Sequence, residues 1–503
     1  MFSSCESLSN LNINSNNFNT KNVIYMDGMF QNCYSLTSLD VSFFNTEKVE
    51  NMSHLFDSCT GIKDLDISNW KTENLKDASY MFQYCNSLVN LKIDNNFINE
   101  KVENMANMFY SCRNIKKIDV SNFNTLNVKN MAYLFGNCQS LNEVDVSKWN
   151  TNNVKDMSFM FNECNNLKSL DVSNFNTENV INFAFMFSFC ESLIQLDVSK
   201  FKTNKAENMR GMFYDLTLID YLDLSGFNTE NVIDMSSMFL YSVCLTSLNL
   251  RSFDTSKVTN MANMFNRCST LYNLDLSSFN TENVLDMSNM FLECSNLQEI
   301  TFGSLFNTKN VKDMSKMFQS CKLLLNLDLS FFNTENVENM YSMFFECTSL
   351  SKLIISNFNT KKVRDMSKMF SDCSNLKELN VSSFDTSQVE DMSFMFQRCS
   401  YLNKLDVKNF NTEKVQDMAN MFTRCTKLNS LDISSFKTEN VIDMSYMFNY
   451  LINIKYLDVS KFVTNKVEDM SLMFYYCSSL TSLDLKNFDT SNVSNMEKMF
   501  YYN

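Results

Sequence analysis

The apolar residues of this chain recur at fixed positions of a unit of 26 residues. If the unit is numbered from Leu271, positions 1, 4 and 6 are mostly Leu, Ile or Val, position 9 is aromatic and position 14 is mostly Val. All 35 Met fall at position 17 or 20, and position 21 is Phe from Phe2 to Phe500. A fixed period of this size predicts a solenoid, in which each coil buries its apolar side chains against its neighbours.

The pattern inside one unit predicts two elements. Positions 4 and 6 alternate as a half-buried strand does. The apolar positions 17, 20, 21 and 24 have the spacing of one face of a helix, and the Asp or Asn at position 16 is its predicted N-cap. The side chains of Asn-Thr at positions 10 and 11 are expected to hydrogen-bond the local backbone in a turn between the strand and the helix. We therefore expect a leucine-rich-repeat-like α/β solenoid of about 19 coils, with a parallel sheet on one face and short helices on the other.

Composition supports one continuous repeat domain, 1–503. The chain has no Pro and only six Gly, and no Pro-, Gly- or Ser-rich segment interrupts the repeat. Because the repeat starts and stops within a unit and has no capping coils, we expect a fragment of a longer protein. No apolar run reaches the length of a transmembrane helix, and no signal peptide is visible.

Charge and motifs exclude several classes of function. The net charge is −14 and the basic residues are scattered, which argues against nucleic acid or anionic lipid as a partner. The Gly residues form no phosphate-binding loop, and no acid–base pair stands apart from the repeat, so we expect neither an enzyme nor a cofactor. The Met pairs have the spacing of core residues rather than of a copper site. His54, the single His, is expected to face solvent.

The cysteines share one position. Sixteen of 17 stand at position 24, and Cys244 is the exception. Since a free Cys behaves as a small buried hydrophobe, we expect a column of reduced thiols. A metal-binding column is disfavoured, because the chain has no CxxC pair and only one His.

Position 5, between the inward positions 4 and 6, is Asp in 13 of 19 units and is expected to face solvent. Two interpretations are open. The carboxylates either bond the Ser that usually stands at position 7 and keep the sheet face soluble, or they form a weak stripe for an oxygen-seeking cation such as Ca²⁺.

Two stretches carry a family resemblance: FNTENVLDMSNMFLECSNLQEI at 279–300 and FDTSKVTNMANMFNRCSTLYNLDL at 253–276. They resemble the BspA-like branch of leucine-rich-repeat surface proteins, which includes bacterial surface proteins and mycoplasma lipoproteins. The resemblance implies a leucine-rich-repeat solenoid, a location at the cell surface or outside the cell, and a role in adhesion to host matrix or to other cells. An aromatic residue stands at position 9, where the general leucine-rich pattern has Asn.

Residues that break the consensus on the sheet face are the candidate partner-binding residues, because Tyr and Arg are enriched at binding hot spots. We expect a protein partner to bind there, and the alternative is a structural spacer whose active part lies outside this segment. The predicted site combines these residues with members of the acidic column: Tyr221, Arg251, Tyr272, Ile354, Tyr456, Asp197, Asp223 and Asp275.

Overall fold

A computed structural model describes residues 1–16 and 18–502. The chain divides into two compact units, unit 1 at Met1–Lys257 and unit 2 at Val258–Asn503. The architecture below is that of the coils inside each unit. Neither unit alone holds the 19 coils expected for a single stack, and the continuous domain 1–503 stays a prediction.

Short parallel strands form the sheet face. Within the described residues there are ten: β1 (Asp64–Asp66), β2 (Asn90–Lys92), β3 (Tyr221–Leu222), β4 (Ser247–Leu248), β5 (Asn273–Leu276), β6 (Glu299–Phe302), β7 (Asn326–Asp328), β8 (Lys352–Ile354), β9 (Glu378–Leu379) and β10 (Lys404–Leu405). Each pairs with the strand one repeat away, so that Leu274 in β5 lies opposite Ile300 in β6. Leu274 is buried while Asn273 is exposed, which confirms the alternation read from positions 3 to 6.

A second line of parallel pairing runs through position 16. In unit 1 successive bridges join Tyr25 to Asn51 and continue to Asp234, and in unit 2 they run from Asn260 to Asn495. Some of these coils are also tied to the next coil on the sheet face, through the strand pairs given above and the bridge from Lys117 to Glu143. This pairing makes each unit a β-solenoid.

The predicted helices are wrong. The described residues form no helix, so they include no helix that is long and apolar enough to cross a membrane. Positions 17–24 instead form two successive four-residue turns. The Met290 N–H closes one of them on the Met287 carbonyl at 3.3 Å, whereas the Phe291 N–H donates to the Met317 carbonyl of the next coil at 2.9 Å. Successive amides of this segment therefore donate alternately to a carbonyl of the same coil and to a carbonyl of the next coil.

Backbone conformation explains why the helix could not form. Asn289 at position 19 and Glu293 at position 23 both have φ of 56°, and an α-helix requires φ near −63°. Turns that repeat every four residues place positions 17, 20, 21 and 24 inside, which is the spacing that a helix also gives. Side chains disfavour this left-handed conformation, and only Gly28 and Gly211 supply a Gly for it.

The expected N-cap is a turn residue. The Asp286 side chain accepts the Ser288 N–H at 2.8 Å, which is the local contact predicted for position 16. Since no helix follows, this bond closes an Asx turn that leads into the first of the two four-residue turns. The predicted contact is confirmed, whereas the predicted function of capping a helix is wrong.

The interior contains the side chains that the repeat assigned to it. Met287, Met290, Phe291 and Cys294 are fully buried, as are their counterparts in most other coils. The position-21 rings stack from coil to coil, for example Phe344 on Phe370, with centroids 5.7 Å apart and planes within 6° of each other. Stacked rings and buried thioethers supply the apolar area that holds successive coils together.

Buried polar groups are paired across coils. The hydroxyl of Thr412 at position 11 donates to the Lys437 carbonyl and accepts the Lys437 N–H, both at 2.7 Å. Thr was expected to bond its own turn, and it bonds the next coil instead. The Cys294 thiol donates to the Phe265 carbonyl of the preceding coil at 3.0 Å. Ser242 occupies the cysteine position in its coil and makes the equivalent bond at 2.9 Å, to the Phe213 carbonyl.

Candidate functional site

The sheet face of unit 1 contains a groove of about 1140 Å³. It is formed by residues on the sheet face of five successive coils. Its lining includes consecutive Asp residues of position 5 and two further acidic residues at positions 2 and 3. The carboxylates that line it are Asp119, Glu143, Asp145, Asp171, Asp197, Asp220 and Asp223. Lys117 is the one basic residue among the lining residues. The groove is therefore a strongly anionic surface.

Each carboxylate of the column is fixed by the residue two places after it. The Asp197 Oδ1 atom accepts the Ser199 N–H at 3.0 Å and the Ser199 hydroxyl at 2.6 Å. These two bonds, led by the one from the hydroxyl, lower the pKa of Asp197, and the same contacts lower the pKa of Asp119, Asp145 and Asp171. These carboxylates are therefore ionised at neutral pH.

These contacts confirm the first interpretation of the acidic column, in which Asp bonds the neighbouring Ser. In the part of the chain that the structure describes, no group of three or more His, Cys, Asp or Glu side chains is arranged to hold a metal ion. The calcium interpretation therefore gains no support from the geometry.

Charge is unevenly distributed along the groove. At one end the Lys117 ammonium pairs with the Glu143 carboxylate at 2.7 Å. At the other end Tyr221 and Ile194 project among the acids with 58% and 63% of their surface exposed. Tyr is a residue type enriched at protein-binding hot spots, so Tyr221 makes this end of the groove the candidate contact point.

The structure brings together three of the predicted residues. Tyr221, Asp197 and Asp223 all line the unit 1 groove. Arg251 belongs to the same unit and is exposed, but it lies outside the set of residues that lines the groove. Its backbone N–H donates to the Asn249 side chain at 3.3 Å, so that its turn is formed as in the Asp-containing coils.

The other four predicted residues belong to unit 2. Tyr272 is half exposed, and its hydroxyl donates to the Gln298 side chain at 2.7 Å, while Asp275 lies in β5 and is partly buried. Ile354 is partly buried at the end of β8, and Tyr456 is exposed and bridges to the following coil. These residues stand in three separate coils, and their assignment to a binding site stays a prediction.

Some functional candidates were missed from the sequence. Ile194 and Asp220 stand at position 2, where residue types vary from coil to coil, so that no consensus marks them. They are candidates because they line the groove, and the repeat pattern does not predict a groove.

His54 also differs from expectation, because its side chain is only 37% exposed. Its Nδ1 atom lies 2.9 Å from the Asp57 carboxylate, and its ring stacks on Tyr80 at 4.4 Å. His54 therefore belongs to a packed surface cluster rather than standing free in solvent.

Comparison with known families gives one match that extends over the chain. The model of the family described as "Mycoplasma protein of unknown function, DUF285" matches residues 1–118, 89–180, 143–244, 216–325, 240–354, 322–406 and 399–503. The predicted resemblance to repeats of the mycoplasma type is thereby confirmed. No curated protein matches the chain.

Solved structures with similarity include two bacterial repeat proteins. A leucine-rich repeat protein from Bacteroides ovatus is 16% identical, covers 68% of this chain and 82% of its own, and has a TM-score of 0.34. A leucine rich cell surface protein from Faecalibacterium prausnitzii is 17% identical, with coverage of 71% and 82% and a TM-score of 0.33. The Toll–Spatzle complex of Drosophila is 15% identical, with coverage of 82% and 52% and a TM-score of 0.25. None of these matches is to an enzyme family, and at these TM-scores they carry no argument about a partner.

Proposed function

The chain belongs over its whole length to the family described as "Mycoplasma protein of unknown function, DUF285", and from the groove of unit 1 we propose that it is a non-enzymatic recognition or adhesion protein. In this proposal it acts at a cell surface or outside the cell and binds a protein partner through the sheet face of its coils. The observation that carries the proposal is the meeting of fixed carboxylates with Tyr221 and Ile194 in one groove.

The groove suits a partner segment rich in Lys and Arg. Complementary charge speeds encounter and fixes the register of binding, while the exposed Tyr221 at one end of the groove supplies contact area at low entropic cost. Because the Asp197 carboxylate is already held by Ser199, little ordering is needed on binding, and preorganisation of this kind raises affinity. The long rows of carboxylates favour an extended partner segment over a single charged residue.

A binding assay with matched variants tests this proposal. The full chain is measured by biolayer interferometry against immobilised fibronectin, laminin and collagen, as examples of matrix proteins. Tyr221→Ala, and Asp197→Asn combined with Asp223→Asn, are expected to weaken any saturable binding at least tenfold, about 1.4 kcal/mol. Asn at this position keeps the turn, because Asn380 accepts both the N–H and the hydroxyl of Ser382.

The control is Asp40→Asn combined with Asp66→Asn, which removes two carboxylates of the same column in unit 1 outside the groove. This variant is expected to bind as the wild type does. Equal loss in both double variants would show that net charge rather than the groove determines binding. Binding that is unchanged in the groove variants would refute the proposed site.

A structural spacer is the second candidate function. The ladders of Thr and Cys favour it, because they stabilise most coils in the same way without distinguishing one surface. In this reading the two units belong to one repeat domain of about 19 coils. Absence of saturable binding by the wild-type chain would favour the spacer. Resistance of residues 250–265 to limited proteolysis would support the single domain.

A further inference from the structure

Unit 2 contains an unbroken run of carboxyl groups at position 16. Elsewhere Asn interrupts this column: in unit 1, Asp77 and Asp156 each stand between two Asn residues. In unit 2 five consecutive coils have Asp, and successive members are partners in parallel bridges. The run, here called the Asp ladder, is Asp365, Asp391, Asp417, Asp443 and Asp469. All five side chains are half-buried.

One oxygen of each carboxyl group is occupied by the backbone. The Asp417 Oδ1 atom accepts the Ala419 N–H at 2.8 Å, and Asp443 accepts the Ser445 N–H at 2.7 Å in the same way. This leaves the Oδ2 atom of each residue to the neighbouring coils.

Two Asn residues that flank the Asp ladder at position 16 show where the Oδ2 atoms of this column point. The Asn495 side-chain amide donates to the Asp469 Oδ2 atom at 3.0 Å, and the Asn339 amide donates to the Asp313 Oδ2 atom at 3.4 Å. Side chains of adjacent coils therefore meet at hydrogen-bond distance in this column. Asp has the shape of Asn but offers no N–H, so an Asp beside an Asp sets two acceptor oxygens against each other. A proton held between them restores the missing donor.

The charged residues around the Asp ladder do not supply a hydrogen-bond donor to every Asp in it. Lys368 follows Asp365 in the same coil, and its ammonium lies over the rings of Tyr341 and Phe394 at 5.9 and 5.4 Å. At position 15, the exposed position before each Asp, the charged residues beside the Asp ladder are Arg364, Glu390 and Glu468. At position 13 they are Lys362, Lys414 and Lys466, and their ammonium groups donate to side-chain oxygens of the preceding coil, those of Asn336, Gln388 and Asn440.

The response of individual members agrees with this arrangement. Burial, followed by the neighbouring carboxylates of Asp391 and Asp443, raises the pKa of Asp417 to about 6. Burial also raises the pKa of Asp365, although the Ser367 hydroxyl and Lys368 oppose the shift.

We propose that Asp417, at the centre of the Asp ladder, shares a proton with the carboxyl group of a neighbouring coil and acts as a pH-sensitive clamp that tightens unit 2 as the pH falls from neutral to mildly acidic. The proton on Asp417 donates to the Oδ2 atom of the adjacent member, and this bond replaces a repulsive contact by a hydrogen bond between coils. Loss of this proton at higher pH loosens the same edge without unfolding the core.

The sign and size of the effect follow from linkage. A group whose folded pKa lies above its unfolded pKa stabilises the fold as the pH falls through the folded value. With a folded pKa of about 6 and an ordinary value of 3.8, local opening around Asp417 is expected to be about tenfold rarer at pH 5 than at pH 7.5.

Hydrogen exchange on the full chain tests the clamp. Exchange of residues 415–425 is measured at pH 5 and 7.5 and corrected for the intrinsic rates. Asp417→Asn introduces a permanent donor, as Asn495 does, and is expected to give the slow exchange at both pH values. Asp156→Asn, at the same position in unit 1 between two Asn, is the matched control and should leave the unit 2 response intact.

Two results would overturn the proposal. One is a wild-type chain whose corrected exchange at 415–425 does not slow at pH 5, and the other is an Asp417→Asn variant that keeps the full pH response. Infrared spectroscopy supplies a second measurement that does not depend on stability. The band of protonated carboxyl groups present in the wild type at pH 6 should weaken in Asp417→Asn and be unchanged in Asp156→Asn.

Discussion

Replacement of Thr412 by Val removes one hydroxyl and keeps the shape of the side chain. Thr412 is fully buried, and its hydroxyl both donates to the Lys437 carbonyl and accepts the Lys437 N–H. Val leaves both backbone groups of Lys437 without these bonds, at a place where the side chain of residue 412 is itself buried. Each buried, unpaired group costs about 1–3 kcal/mol, so Thr412→Val is expected to destabilise this part of unit 2 by about 2–4 kcal/mol.

Two companion variants isolate the hydroxyl. Thr412→Ser keeps both hydrogen bonds and loses one buried methyl group, which costs about 1 kcal/mol. Thr246→Val removes the hydroxyl of an exposed Thr that donates to the Asp220 carbonyl at 3.3 Å, and water can replace that bond. Its expected cost is below about 0.5 kcal/mol.

Local hydrogen exchange is the appropriate assay, because a repeat protein need not unfold in one step. The amides of residues 437–441 should exchange faster by a factor of about 30 or more in Thr412→Val, and by less than about tenfold in Thr412→Ser. If Val and Ser at residue 412 had the same effect, the Thr ladder would be a packing feature only. The argument from unpaired backbone groups would then be refuted.

Three further predictions follow from the same coils. Met287→Ala deletes a fully buried side chain and should cost about 2–5 kcal/mol in local stability, whereas Ser288→Ala should cost much less, as chemical denaturation and hydrogen exchange can show. Burial raises the pKa of Cys294 to about 12, so its thiol should resist alkylation at pH 8 in the native chain. The exposed Cys5 should react under the same conditions, and mass spectrometry of labelled peptides can measure both. The pKa of Asp197 is lowered by the Ser199 contacts, so the stability it contributes is present above about pH 4 and is lost at lower pH, which thermal melts of wild type and Asp197→Asn can measure.

The side chains that point inward could be predicted because each column has one environment. Burial of Met287 and Phe291 in one coil is repeated in the others, so the sequence shows the same choice many times over. The local path of the backbone was not predictable in this way. Four-residue turns and a short helix bury the same positions. The two structures differ in backbone conformation at Asn289 and Glu293, which have positive φ. Because neither residue is Gly, the sequence does not mark this conformation.

Contacts between coils were predicted less well than contacts within one. Thr412 was assigned to its own turn, yet its partners lie 25 residues away, at a distance along the chain that a local turn rule does not examine. For the candidate site, the sequence pointed to Tyr221 and the acidic column but missed Ile194. The curvature that brings Ile194 and Tyr221 into one groove is a property of the stacked coils, and no single unit encodes it.

The two Asp columns of unit 2 respond to pH in opposite directions, and their combination gives that unit its own stability profile. On the sheet face, hydrogen bonds to Ser or to the backbone lower the pKa of Asp328, Asp432 and Asp458, so these residues favour the fold above about pH 4. At position 16, burial raises the pKa of Asp417 to about 6, so this residue favours the fold as the pH falls through that value. Unit 2 should therefore be most stable between about pH 4 and 6. Unit 1 shares the sheet-face column but not the uninterrupted ladder, so it should show the acid loss without the gain between neutral pH and pH 5.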